Sequence, residues 1–164
     1  MSQASLSRRE ALKLAGAATV GGLVGAMGQP GSTPMVHAQK DPAKPDLVVF
    51  VGDFYFEVGD SDGKNRKGKN ASFSIPSGQE YLVHFINEGK ALHEIHMGRK
   101  PNIGKRQYDE NLFGGGFLGL HLDGGQAGYM HLNLPASQKG DWEVGCFVPG
   151  HYDDAKMHAP VKVV

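Results

Sequence analysis

The sequence contains one cysteine, one tryptophan and no net charge at pH 7 in its 164 residues. A single Cys146 excludes an internal disulfide, so the fold must be held by its core. The balanced charge removes the broad basic field that a nucleic-acid-binding protein needs. No lasting membrane span is expected: the apolar run from Leu14 to Met27 is short and rich in glycine. No repeat of solenoid length occurs. Neither Gly114-Gly115-Gly116 nor Gly124-Gly125 is followed by Lys-Ser or Lys-Thr, which excludes a phosphate-binding loop. No Ser-His-Asp set or pair of carboxylates stands out, so the chain is not expected to be an enzyme. A Cys-His nucleophile built on Cys146 and His151 is the one catalytic alternative.

Glycine is abundant instead, with 24 copies beside 9 prolines, spread along the chain without a short period. That suits a β fold with many turns. The N-terminus reads as an export signal over residues 1–38. Ser7-Arg8-Arg9 followed by Leu12-Lys13 has the twin-arginine form, although Ala11 stands where a large apolar residue is usual. Val36-His37-Ala38 offers small residues for cleavage before Gln39, and an uncleaved anchor is the alternative. Cleavage there leaves a slight acidic excess. Residues 39–45 form a tail and 46–164 a single domain.

From Asp46 onward, short β-rich runs alternate with turns. Strands are expected at Leu47–Val51 continued by Asp53–Phe56, at Ala71–Ile75, Glu80–Asn87, Leu92–Met97, Tyr129–Leu134, Asp141–Val148 and His158–Val164. These specify an all-β sandwich or small barrel. Residues 98–128 interrupt the rhythm, with a short helix or irregular insertion expected and Tyr108 to Leu120 as its helical part. The polar stretch 58–70 carries Lys64, Arg66, Lys67 and Lys69. It reads as a solvated hairpin tip, with docking to an acidic redox partner as the alternative.

The stretch Cys146-Phe147-Val148-Pro149-Gly150-His151-Tyr152-Asp153-Asp154-Ala155-Lys156-Met157 carries a thiolate, an imidazole and a thioether within twelve residues. Side chains alternate along a strand, so Trp142, Val144 and Cys146 share one face. Pro149-Gly150 turns the chain and lets His151 point back at the sulfur. Met157 shares parity with Val161 and Val163 and so tops a core face. A second imidazole comes from Leu92-His93-Glu94-Ile95-His96-Met97. His93 shares the face of Ile95 and is the inward candidate, which leaves His96 facing solvent. Two imidazoles and a thiolate with a distant methionine suit both Cu(I) and Cu(II), so little rearrangement accompanies a one-electron change. His84 reads as structural. No spacing among His121, His131 and His158 favours a second metal site.

Residues 46–164 resemble the cupredoxins, the family of plastocyanin and azurin. The resemblance rests on the Asn87-x-Gly89 turn before His93, the Cys146–Met157 loop with Pro149-Gly150-His151, the Asp53–Phe56 segment and the Ile75-Pro76-Ser77-Gly78 turn. It implies a Greek-key β-sandwich holding one copper ion through His93, Cys146, His151 and Met157. It also implies an exported monomer that passes single electrons between a donor and an acceptor redox protein, with His151 at the exit edge. Five residues separate His151 from Met157, more than in the best-known members, which makes the axial methionine the least constrained ligand. Two other functions fit the same residues. One is a copper-handling protein using Met97, Met130, Met157 and the spare histidines. The other is an accessory subunit of a respiratory complex, docking through residues 98–128.

Overall fold

A computed structural model describes residues 44–113 and 119–164. The export signal expected over residues 1–38, most of the tail at 39–45, and Gly114-Gly115-Gly116 lie outside the described residues.

Among the described residues, ten strands form two sheets that face each other across one core. β1 (Leu47–Gly52), β2 (Tyr55–Gly59), β4 (Glu80–Asn87) and β8 (Ala127–Asn133) make the first, in the order β2-β1-β4-β8. β3 (Phe73–Ile75), β10 (His158–Val163), β9 (Gly140–Gly145), β5 (His93–Asn102) and β6 (Gln107–Asn111) make the second, in that order, and β7 (Leu120–Leu122) pairs with the start of β5. Two neighbours run parallel, β1 with β4 and β3 with β10; the other pairings are antiparallel. The expected β-sandwich is therefore present.

Burial follows from the sequence of each strand. Val48 to Gly52 are buried in succession: the core covers Val49 and Val51, and on the other face Gly63 and Arg66 from the loop after β2 lie against Val48 and Phe50. β10 alternates: Ala159, Val161 and Val163 are buried, Pro160 and Lys162 exposed. Phe56, Phe85, Ile95, Met97, Val144 and Ala159 have no accessible surface in the shared core. Each large apolar side chain sealed there contributes about 1.5–3 kcal/mol.

Two expectations are corrected. Asp53–Phe56 does not continue the first strand. The chain reverses at Asp53-Phe54, and Val51 faces Phe56 while Gly52 faces Tyr55. Phe54 sits in the left-handed region (φ 71°), where glycine or asparagine usually marks a two-residue hairpin. An aromatic at that place hides the turn. The second correction concerns residues 98–128. β5 runs on to Asn102, a single 3-10 turn spans Ile103–Lys105, and β6 returns along β5. Asn102 caps the turn by accepting the Lys105 N–H at 3.2 Å. Tyr108 to Asn111 are thus strand, not helix; among the described residues of the insertion that one turn is the helical part, and residues 114–118 of the expected helix lie outside them.

The second sheet carries an extra layer on its outer side. Tyr108, Phe147 and Tyr152 pack there in edge-on and stacked contacts, with ring centroids 5.0 Å apart for Tyr108–Phe147 and for Phe147–Tyr152. Gly98 and Gly145 make room for it. A Cβ on Gly145 would lie 2.6 Å from the Tyr108 hydroxyl, and one on Gly98 would overlap the Tyr108 side chain and the Glu110 carbonyl.

Candidate metal centre

Three buried donors meet at one end of the sandwich. Cys146 follows β9, His93 opens β5 and His151 lies in the loop between β9 and β10. Cys146 Sγ is 3.7 Å from His93 Nδ1 and 3.3 Å from His151 Nδ1. The two imidazole rings lie 5.0 Å apart and are tilted by 50°. Cys146 and His93 have no accessible surface, and His151 is 9 % exposed.

Each donor is placed by its own local chemistry. Asn87 positions His93. Its buried amide donates to the carbonyls of Ala91 (2.8 Å) and Leu122 (2.9 Å), and its Oδ1 accepts the Gly89 N–H at 3.0 Å. This side chain forms the Asn-x-Gly turn and ties it to β7. Asp53 steadies the same turn from the other side, accepting the Lys90 N–H at 3.0 Å, which holds its carboxyl below the usual range. His151 is set by a donation from its own N–H to the Val148 carbonyl at 2.9 Å. The ends of the loop are clasped together. The Cys146 N–H donates to the Met157 carbonyl (3.1 Å), and the Met157 N–H to the His151 carbonyl (2.8 Å). The five intervening residues therefore bulge outward, while Met157 stays fully buried against the core.

The electrostatics favour soft, neutral donors. Burial pushes the Cys146 thiol up, opposed by backbone N–H groups of Glu94 and Val148; the Glu94 N–H lies 3.4 Å from Sγ. Burial pushes both imidazoles down, and for His93 the neighbouring His151 adds to it. His93 Nε2 has no hydrogen-bond partner, and Asp53 Oδ1 lies 3.8 Å away. A thiol kept dry beside two neutral imidazoles, whose Nδ1 atoms both face it, is a donor set that fits one copper ion better than a harder cation.

The remaining histidines divide. His84 stacks face to face on Tyr129, 4.1 Å between centroids, and is structural in that sense. His158 lies 3.2 Å from Glu143 and stacks on Tyr152. His96 does not face solvent, contrary to expectation: it is 5 % exposed. Strand parity assigned it correctly to the outer face, but Phe147 covers that face, 5.2 Å from the His96 ring. Burial, with help from His121 and Arg106, pushes its pKa down to about 4. The structure also gathers Glu94, His96 and His121, a group the sequence reading missed. The signal was there in Glu94-x-His96, a period-2 pair on one strand face.

The basic stretch is largely engaged within the molecule. Arg66 reaches Glu88 at 3.0 Å and lies over the Phe50 ring at 3.3 Å, and Lys69 lies over Tyr55 at 4.1 Å. This favours the hairpin-tip reading over a docking arm.

A two-sheet Greek-key sandwich with a cysteine and two histidines at one end has the architecture of a cupredoxin fold. Solved structures agree on the fold. Dithionite-reduced auracyanin from the photosynthetic bacterium Roseiflexus castenholzii superposes with a TM-score of 0.51 at 17% identity, covering 71% of this chain and 94% of its own. The copper protein rusticyanin gives 0.51 at 20%, covering 72% and 76%. Auracyanin B gives 0.50 at 17%, covering 71% and 86%. No protein-family model matches the sequence, and no curated protein does.

Proposed function

We propose that the protein is an exported one-electron carrier holding a single copper ion through Cys146, His93 and His151, with Met157 as the axial ligand. The observation that carries this reading is the buried thiol with the Nδ1 atoms of both imidazoles at 3.3 and 3.7 Å. Copper bound there would supply a Cu(I)/Cu(II) couple, and the protein's part is to keep the donors fixed in either state. Asn87 does that for His93 through its side-chain amide, and the loop clasp does it for Met157 through backbone hydrogen bonds. The core excludes water from the sulfur. His151 is the donor nearest the surface, and its ring meets Phe54 edge-on at 5.0 Å. Phe54 is 50 % exposed, so a partner touching it comes within one ring of a ligand. That edge suits electron exit toward a donor or acceptor redox protein.

Copper handling is less well supported, because Met97 and Met130 are buried at 0 % and 6 % exposure and offer no surface thioether path. Export rests on the twin-arginine pattern of Arg8-Arg9. Among the described residues, no helix is long and apolar enough to cross a membrane. The mature protein loaded with Cu(II) is expected to show an intense thiolate-to-copper band that Cys146→Ser abolishes. No such band, or a band that survives the substitution, overturns the reading.

A further inference from the structure

We infer that Glu94, His96 and His121 form a second cation site, for a divalent ion of borderline softness such as zinc(II), on the outer face of β5. Strand geometry assembles it. Glu94 and His96 are two residues apart on β5, so both point outward. His121 on β7 stands directly opposite Glu94 in the antiparallel register. One ligand atom from each residue lies within 4.8 Å of the other two.

His96 points most directly to a ligand. Its ring is 5 % exposed, yet Nε2 has no hydrogen-bond partner. Glu94 Oε2 is 3.6 Å away, beyond hydrogen-bonding range. Buried polar groups in folded proteins normally have a partner, and leaving one unpaired is unfavourable. A cation between Nε2 and Oε2 satisfies both. Tetrahedral zinc with bonds of about 2.0–2.1 Å sets its ligands roughly 3.4 Å apart, so the His96–Glu94 spacing already fits. His121 lies at the rim with an exposed side chain and can close the remaining gap.

The surroundings support a metal rather than a proton. Arg106 binds the other carboxylate oxygen of Glu94, Oε1, and donates from Nε to the Phe147 carbonyl at 3.0 Å. That bond orients the carboxylate and leaves Oε2 toward His96, the role that outer partners of metal ligands play. Gly119 passes against the His96 ring, where a Cβ would lie 2.9 Å from Nε2. Any larger residue would fill the space beside the nitrogen. Two imidazoles and one carboxylate are a zinc-type set with an open fourth position. The Glu94 backbone also donates to Cys146 Sγ, so the two sites share a residue without sharing a ligand atom.

The test is zinc uptake by the full-length, tag-free protein, measured by calorimetry and by metal analysis after dialysis. Four chains are compared: wild type, Cys146→Ser, which removes the thiol centre, and the variants His121→Ala and His131→Ala each made in the Cys146→Ser chain. His121 and His131 are exposed, so both substitutions leave the fold intact. The expected result is a zinc equivalent that persists in Cys146→Ser and His131→Ala but binds at least about tenfold more weakly in His121→Ala. In wild type, the ring nitrogens of His96 and His121 shift in ¹⁵N spectra on zinc addition. Zinc uptake unchanged by His121→Ala, uptake lost in Cys146→Ser, or ring nitrogens of His96 that do not respond overturns the site.

Discussion

Asn87 shows how one side chain replaces a longer stretch of structure. It fills three hydrogen bonds in a fully buried position and connects the turn before His93 to the far side of β7. Asn87→Ala orphans two buried carbonyls and a backbone N–H. The expected loss is about 2–4 kcal/mol, seen as a fall of roughly 10 °C in Tm in a thermal melt of the metal-free protein. His84 gives a pH signature. Burial against Tyr129 holds its pKa below the ordinary histidine value of 6.5. Above that value both folded and unfolded chains carry a neutral ring. As the pH falls below it, the unfolded chain takes the proton first and stability declines until the folded pKa is passed. Urea unfolding between pH 7 and 5 is expected to show this decline, and His84→Gln to reduce it.

β5 is the element on which both proposed ligand groups depend. Its inner face carries His93, Ile95 and Met97, and its outer face carries Glu94 and His96. Gly98 lets β6 close onto it. Gly98→Ala would drive a methyl into Tyr108 and the Glu110 carbonyl and is expected to cost about 2–3 kcal/mol. Gly68→Ala, where nothing lies within 4 Å, should stay within about 0.5 kcal/mol; denaturant midpoints distinguish the two. The same strand marks how far the sequence can be read. Alternation placed His93, Cys146 and Met157 toward the core, because a half-buried strand writes its inward face into its apolar residues. It failed at His96, because alternation says which side a residue faces and not what covers that side. Tyr108, Phe147 and Tyr152 cover it from elsewhere in the chain. The β1–β2 turn was missed for a different reason: Phe54 adopts a backbone conformation that its side chain gives no hint of. Residues 98–128 misled because β6 pairs with a polar extension of β5, which carries no strong strand signal.

At the scale of the whole molecule, the centre lies at one end of the sandwich and Phe54 stands at its margin. Without residues 1–38 the chain carries only a slight acidic excess, so contact is expected to weigh more than long-range attraction in selecting a partner. Phe54→Ser removes the exposed ring and leaves every donor in place. The expected outcome is an unchanged visible spectrum and a roughly tenfold slower electron exchange with a redox partner, the loss of one interface anchor. Stopped-flow mixing with a small cytochrome measures it, and an equal rate in both proteins would remove Phe54 from the contact.

The only thiol in the chain is sealed beneath a loop whose two ends are hydrogen-bonded to each other. In the metal-free protein, an alkylating reagent can reach that sulfur only when the clasp breathes. The rate of alkylation therefore counts loop openings, so the protein carries its own clock for the motion that would admit or release a metal.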